Sequence, residues 1–269
     1  MPADAESKPT RILAVANQKG GVGKTTTAIN LGTAMAAVGS RVLLLDSDPQ
    51  GNASTGLGVP RAMRRKTLYD VLMEGTPVQD AAVKTALPGL DLLPADADLS
   101  GIETELGQTP RRSFRLRDAM APIRAERLYD YVLIDCPPAL SLLTVNAMTA
   151  ADAVLVPLQC EFFALEGLTQ LLRTVDLVRG SLNPTLEIQG VVLTMFDRRN
   201  SLSAQVASDV REHFGTAVYE TVIPRNVRVS EAPSFGKPAL IYDLKCAGSQ
   251  AYIKLAREVM GRERERLAG

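Results

Sequence analysis

Short apolar runs alternate with helical patterns along almost the whole chain. Such alternation is typical of βαβ units, in which the strands of a parallel sheet are connected through helices. The runs that we interpret as strands span residues 11–16, 41–46, 131–135, 153–157, 189–195 and 221–224. Their centres are apolar at consecutive positions, so we expect these strands to be buried on both faces. The sequence therefore predicts an α/β fold, a mostly parallel twisted sheet with helices on both faces.

The segments between these runs carry helix signals. A helix is predicted over residues 25–38, with Gly39 just beyond its end, where a left-handed residue commonly terminates a helix. Thr67 and Asp70 have the spacing of a capping box for a helix over residues 68–73. Apolar residues also recur at helical spacing over residues 165–178 and 252–260, whereas residues 61–127 are otherwise irregular. Since we find no repeat and no linker, we predict one domain over residues 11–269, preceded by a disordered tail over residues 1–10.

Composition excludes several classes of protein. The 269 residues include 30 Lys and Arg and 30 Asp and Glu, so the net charge is zero and any DNA binding must come from a local patch. No apolar run approaches the roughly 18 residues of a membrane span, and residues 1–10 lack the apolar core of a secretory signal. The three cysteines form no CxxC pair, so neither a zinc site nor a disulfide framework is indicated. We expect a cytoplasmic protein.

The stretch most informative about function is KGGVGKTT at residues 19–26, between the first predicted strand and the following helix. It matches the phosphate-binding pattern G-x-x-x-x-G-K-[ST] only loosely, but the chemistry is present. Glycines allow successive backbone N–H groups to face an anion, and the helix N-terminus adds its dipole. Lys24 suits the β- and γ-phosphates, and the Thr25 hydroxyl suits Mg²⁺. The candidate nucleotide-binding residues here are Lys19, Gly20, Gly21, Val22, Gly23, Lys24, Thr25 and Thr26.

The same stretch resembles the deviant Walker A motif of the ParA/MinD superfamily, which carries an additional lysine at the position of Lys19. The resemblance implies a P-loop ATPase that uses ATP and Mg²⁺ and forms a nucleotide-sandwich dimer. In that dimer Lys19 reaches the ATP phosphates of the partner, and Lys19 and Lys24 both act in catalysis. For the loop, the alternative is an ordinary glycine-rich turn with an incidental lysine, which the strand before it and the helix after it disfavour. For Lys19, the alternative is a solvated surface lysine, which only the resemblance disfavours.

Acidic residues follow two of the predicted strands. Asp46 and Asp48 lie in LLLDSDPQGN, and Asp135 ends YVLID. Because ligands collect at the carboxyl ends of strands in open α/β sheets, all three acids can face the phosphates, and Asp135 fits the Walker B position near Mg²⁺. By the resemblance, Asp48 is the catalytic acid that orients the attacking water and Asp46 supports the magnesium shell. The alternative role of an aspartate at a strand end is a turn or a helix cap.

Hydrolysis at such a site depends on positioning and charge neutralisation rather than on a covalent intermediate. We therefore expect slow turnover, below the ~10 s⁻¹ of an ordinary metabolic enzyme.

Three residues near the end of the predicted sheet resemble the family's adenine-binding elements. Met195 ends the predicted strand over residues 189–195, and Pro224 and Asn226 lie in IPRN. The resemblance implies that Met195 packs on the base while Pro224 and Asn226 bound its edge. From the residues alone, a core methionine and two turn residues are the favoured interpretation.

The block VRVSEAPSFGKP at residues 227–238 resembles that of chromosomal ParA/Soj proteins. The resemblance implies that Arg199 and Arg228 contact DNA phosphates in the dimer, independently of base sequence. Residues 190–269 contain 12 Lys and Arg against 9 Asp and Glu, a surplus too small to indicate DNA binding without the resemblance. Either arginine could instead be a solvated surface residue.

These features together favour an ATPase for chromosome or plasmid partitioning. The resemblance implies an ATP-bound homodimer on nonspecific nucleoid DNA and a ParB-type centromere-binding partner that stimulates hydrolysis. A MinD-like membrane-cycling ATPase is the alternative, disfavoured because residues 257–269 are charged nearly all round and lack an apolar face. A reductase of the nitrogenase-iron-protein type would need two cluster-binding cysteines per subunit, and Cys160 lacks the expected flanking pattern. No membrane partner is expected.

Overall fold

The computed structural model describes residues 9–268 and contains one eight-stranded sheet. Its strand order is β3-β4-β2-β5-β1-β6-β7-β8, and every neighbouring pair is parallel except β3 with β4. The strands are β1 (Arg11–Val15), β2 (Val42–Asp46), β3 (Val83–Lys84), β4 (Leu90–Leu93), β5 (Tyr131–Asp135), β6 (Ala153–Gln159), β7 (Glu187–Phe196) and β8 (Val218–Pro224). All six predicted strands are present with small differences at their ends, and the mostly parallel α/β fold is confirmed.

Helices occupy most of the connections between strands. They are α1 (Lys24–Ala37), α2 (Asn52–Gly56), α3 (Leu68–Met73), α4 (Val78–Ala81), α5 (Ile102–Leu106), α6 (Arg115–Ala125), α7 (Leu142–Ala150), α8 (Ala164–Ser181), α9 (Ser201–Phe214), α10 (Val227–Glu231), α11 (Ala239–Tyr242) and α12 (Ala247–Ala268). No helix within this part of the chain is both long and apolar enough to span a membrane.

The sheet has a hydrophobic core on each of its two faces. Along β1, Ile12 and Ala14 pack into one core and Leu13 and Val15 into the other, as the two-residue period of a strand requires. Residues of α3 to α9 cover the first face, and residues of α1, α11 and α12 cover the second. Burial on both faces explains why the strands appear in the sequence as continuous apolar runs rather than as alternating patterns.

The residues that mark helix ends in the sequence act as predicted. Gly39 has φ +93° just beyond α1, and its N–H donates to the carbonyl of Ala36. Thr67 caps α3 by accepting from the N–H of Tyr69, while Asp70 accepts from the N–H of Thr67 at 2.6 Å. The capping box and the helix over residues 68–73 are both confirmed.

The C-terminal helix α12 is tied to the start of the central strand. Arg11 is buried and its Nε donates to Glu263 at 3.1 Å, while its Nη2 donates to Gln189 at 2.9 Å. Glu263 is itself buried, so one carboxylate of the highly charged segment faces inward. The predicted tail over residues 1–10 lies outside the described residues except at Pro9 and Thr10. Thr10 is buried and its hydroxyl donates to the carbonyl of Tyr129 at 2.7 Å.

Candidate nucleotide site

Strand register brings the predicted acids to the phosphate loop. β5 lies between β1 and β2, and Asp135 pairs in register with Val15 on one side and with Asp46 on the other. The loop that carries the glycines begins directly after β1. A parallel sheet places the carboxyl ends of its strands at one edge, so residues separated by more than a hundred positions in sequence meet there.

The loop between β1 and α1 has the backbone conformation of an anion-binding turn. Gly21 and Gly23 have φ values of +74° and +88°, which residues with a Cβ rarely adopt. The loop is held from two sides, because the Val22 carbonyl accepts from the Thr194 hydroxyl at 2.8 Å and the Lys19 N–H donates to Asn17 at 3.0 Å. Since α1 starts at Lys24, its free N–H groups open toward this loop.

Lys24 is a buried cation at the start of α1. Its Nζ donates to the backbone carbonyl of Lys19 at 3.0 Å, which holds the ammonium across the loop. Burial lowers the pKa of Lys24, and the nearby Asp135 acts in the opposite direction. The ammonium is therefore placed where it would face an anion bound by the loop.

Lys19 points away from the loop toward the β6–α8 connection. Its Nζ lies 2.6 Å from Glu161 Oε2, and its side chain is 41% exposed. Glu161 also accepts a hydrogen bond from the Gln159 amide. The predicted contact of Lys19 with a partner's phosphates therefore requires this ion pair to open.

Asp46 is fully buried and hydrogen-bonded. Its Oδ2 accepts from the Ser54 hydroxyl at 2.7 Å and from the Ser54 N–H at 2.8 Å, and its Oδ1 accepts from the Asp48 N–H at 3.3 Å. Burial raises the pKa of Asp46 to about 6, although the hydrogen bonds from Ser54 act in the opposite direction. Asp46 thus links the end of β2 to α2.

Asp135 is fully buried, yet within residues 9–268 neither of its carboxylate oxygens has a hydrogen-bond partner. Burial raises the pKa of Asp135 well above its ordinary value and Asp46 raises it further, while Thr25 and Lys24 lower it. Buried polar atoms are nearly always paired, so an unpaired carboxylate beside a phosphate loop is suited to contact a bound cation. A hard cation such as Mg²⁺ fits these oxygens.

The other donors also fit magnesium rather than a metal enclosed by protein. In the described part of the chain, no group of three or more His, Cys, Asp and Glu residues is arranged to hold a metal ion. Mg²⁺ usually keeps several waters and takes only one or two carboxylates in addition to substrate phosphates. Thr25 and Asp135, with Asp46 behind them, match that pattern.

Asp48 lies in the turn that follows β2 and is partly exposed. Its Oδ1 accepts from the Gln50 N–H at 2.9 Å, and its carbonyl accepts from the Gly51 N–H at 2.8 Å. The turn role considered as the alternative is therefore present. It does not exclude catalysis, because one carboxylate offers further acceptor positions toward the loop.

The residues predicted to bind adenine line one cleft. Met195, Pro224 and Asn226 surround it together with Gly23 and Thr26 of the phosphate loop. Met195 has φ +50°, an unusual conformation for a residue with a Cβ. Asn226 also caps α10, since its Oδ1 accepts from the N–H of Arg228 at 2.9 Å. The structure brings these three residues together, and for Asn226 it supplies the structural role as well.

The two predicted DNA-binding arginines are surface residues engaged in local ion pairs. Arg199 has a side chain 91% exposed and lies 3.2 Å from Asp197. Arg228 has a side chain 55% exposed and lies 3.1 Å from Glu231.

Arg64 is a residue of this region that the sequence did not reveal. It is buried, and its guanidinium makes five hydrogen bonds to four acceptors around α2. In the sequence RAMRRK it is one arginine among three, and no periodic signal separates it from its exposed neighbours Arg61 and Arg65. Its environment depends on contacts that only the folded chain creates.

Comparison with known proteins identifies the family. A family model described as an AAA domain matches residues 10–188. The chromosome partitioning protein ParA of Caulobacter vibrioides is 78% identical over 262 residues, covering 97% of this chain and 98% of that protein. The sporulation initiation inhibitor protein Soj of Bacillus subtilis is 52% identical over 249 residues, covering 93% of this chain and 98% of that protein. The chain belongs to the ParA/Soj family of chromosome-partitioning ATPases.

A solved structure similar to this ParA/Soj chain carries ligands. It is described as cobyrinic acid a,c-diamide synthase from Mycobacterium smegmatis with a bound ATP analogue and magnesium. It matches with a TM-score of 0.82 at 38% identity, covering 95% of this chain and 96% of that one. The ParA/Soj resemblance deduced from residues 19–26 and 227–238 is thus confirmed at the level of family and fold.

Proposed function

We propose that this chain binds ATP and Mg²⁺ at the β1–α1 loop and uses the hydrolysis of ATP to partition DNA. The observation that carries the proposal is the buried, unpaired Asp135 carboxylate beside Lys24 and Thr25. An isolated anion at this depth is unfavourable unless a cation or a proton compensates it. The similarity to a structure described with an ATP analogue and magnesium supports the same occupant.

Each residue of the site has a role in this proposal. Backbone N–H groups between Gly20 and Thr26 hold the phosphates, Lys24 neutralises charge on the β- and γ-phosphates, and Met195 packs on the adenine. Thr25 and Asp135 would hold Mg²⁺, which supplies charge neutralisation on the phosphate oxygens. Asp48 orients the attacking water, and little covalent chemistry remains for the protein to perform.

The ATP-bound form is proposed to be a homodimer in which Lys19 leaves Glu161 and reaches the partner's phosphates. In this dimer, Arg199 and Arg228 of both copies would form one DNA-binding surface, so each contact with a DNA phosphate would occur twice. A ParB-type centromere-binding protein then stimulates the slow hydrolysis and releases the DNA. The expected location is the cytoplasm, on the nucleoid.

A mobility-shift titration with nonspecific duplex DNA tests the proposal. It is performed at millimolar Mg²⁺ with ATP, with ADP and without nucleotide, while calorimetry measures nucleotide binding in parallel. We expect a shift with ATP alone and a midpoint that weakens steeply as salt rises. Nucleotide binding with no DNA shift under any condition would reject the partitioning role but not the ATPase.

A second arm separates the MinD-like alternative. The chain is sedimented with anionic liposomes in the presence of ATP, and with DNA-coated beads in the same buffer. Retention by liposomes and not by DNA would favour membrane cycling.

A further inference from the structure

We propose that Arg64 is a positioning residue that holds the segment carrying Asp48 at the nucleotide site. The proposal rests on the function proposed above and adds a residue to its hydrolytic machinery. Arg64 contacts neither the loop nor the acids directly. It acts through Gly51–Val59, the segment that begins three residues after Asp48.

The contacts of Arg64 enclose this segment. Nη2 donates to the Gly51 carbonyl at 3.2 Å and to the Thr55 hydroxyl at 2.8 Å. Nε donates to the Val59 carbonyl at 3.1 Å, and Nη1 donates to the Ala95 carbonyl at 2.8 Å. One guanidinium therefore joins both ends of α2 to the chain that follows β4.

Two short paths lead from Arg64 to the acids. Gly51, whose carbonyl accepts from Arg64, donates its N–H to the Asp48 carbonyl at 2.8 Å. Ala95, which also accepts from Arg64, donates its N–H to Ser54 Oγ at 3.1 Å, and that hydroxyl donates to Asp46 at 2.7 Å. Displacement of the guanidinium would weaken both of these hydrogen-bond chains to Asp48 and Asp46.

Burying the charged guanidinium of Arg64 costs free energy, which argues against an incidental position. Within residues 9–268 no carboxylate forms an ion pair with it, and its charge is compensated mainly by carbonyl oxygens. A buried charge without an ion-pair partner is expensive unless hydrogen bonds satisfy it. Burial lowers the pKa of Arg64, and the nearby Asp46 opposes this.

The backbone around Arg64 is shaped to admit the guanidinium. Gly51 has φ +64°, and a Cβ at that position would collide with Arg64 Nη1 and lie 3.1 Å from the Ala95 carbonyl oxygen. Only a residue without a side chain leaves room for these hydrogen bonds. The planar fork of arginine can serve four separated acceptors, which a lysine ammonium cannot do.

The substitution Arg64→Lys tests the assignment, with Arg65→Lys at an exposed neighbouring position as the control. We expect the kcat of ATP hydrolysis to fall at least about tenfold, since small misplacements of catalytic groups cost up to about a hundredfold. The Kd for a nonhydrolysable ATP analogue should stay within about threefold, because the loop at Gly21–Thr25 is untouched. Arg65→Lys should leave both values unchanged.

A second variant tests the proposal if Arg64→Lys does not fold. Thr55→Val, at an exposed position, removes the hydroxyl that accepts from Arg64 and donates to the Gly51 carbonyl at 3.0 Å. It should lower kcat by about two- to tenfold, the value of one or two hydrogen bonds. Wild-type kcat in the folded Arg64→Lys protein, or in Thr55→Val if that is the variant that folds, would overturn the proposal. Loss of analogue binding in parallel with kcat would also overturn it, since that result indicates a structural role. If the unmodified chain does not hydrolyse ATP, the proposed function fails instead.

Discussion

The nucleotide end of the sheet and the arginine-bearing surface are built in opposite ways. Asp46 and Asp135 are fully buried and are placed by strand register, whereas Arg199 and Arg228 are largely exposed and pair with acids two or three residues away. Buried charges interact strongly and are weakly screened, while exposed pairs are worth about 0–1 kcal/mol. The fold itself therefore fixes the positions of the charged groups at the nucleotide end of the sheet. Under the proposed function, affinity for DNA at the arginine-bearing surface would require these arginines to leave their local acids and would grow with the number of copies assembled.

The largest effect is expected for Lys24→Ala, which removes the buried ammonium from the loop. The rate of ATP hydrolysis should fall by about a hundredfold or more, as it does when one preorganised group that stabilises a charged transition state is removed. Steady-state phosphate release measures it, with Lys254→Ala on the exposed side of α12 as the control. Equal activity of the two variants would show that Lys24 of the loop does not take part in catalysis.

Asp48→Ala is expected to lower turnover by about a hundredfold, the lower end of the range for a positioned acid or base. ATP binding and ATP-dependent DNA binding should persist, because Asp48 is not among the residues that hold the phosphates. Calorimetry, the mobility shift and size-exclusion chromatography with ATP are the measurements. Loss of the ATP-dependent dimer would make Asp48 a structural residue.

Arg228→Glu addresses the other side of the comparison. DNA retention with ATP should fall by about tenfold or more and the slope of log affinity against log salt should decrease by about one per lost contact, while ATP affinity stays unchanged. Arg173→Glu, at an exposed position of α8, is the matched charge reversal. Retention equal to that of Arg173→Glu would remove α10 from the DNA-binding surface.

The smallest effect is expected for Glu161→Gln, which removes the ionic partner of Lys19. The pair is about half exposed, so the free energy of unfolding should change by less than about 1 kcal/mol. With Lys19 released, the ATP concentration at half-maximal DNA retention should fall by no more than about fivefold. A higher midpoint instead would mean that Glu161 assists Lys19 rather than restrains it.

The sequence was sufficient for features determined by local pattern. The buried strands, the end of α1 at Gly39 and the capping box at Thr67 depend on spacing within a few residues, and all are present. The meeting of Asp46 with Asp135 followed from the general geometry of parallel sheets. Strand β4 was not predicted, because four residues ending before Pro94 carry too little periodicity.

Features that depend on contacts between distant segments were not predictable. The unpaired state of Asp135, the pairing of Lys19 with Glu161 and the burial of Arg64 each require the positions of other elements. Glu263 shows the same limit, because its position in a charged segment gives no sign that it faces Arg11.

The pairing of Arg11 with Glu263 has a consequence for how the chain matures. β1 is a central strand, and the buried cation at its start pairs with two carboxylates, Glu187 and Glu263, which lie 176 and 252 residues later in the chain. Contacts of such long separation form late, since the intervening loop must close first. The full set of partners around Arg11 can therefore form only after both β7 and α12 have been synthesised.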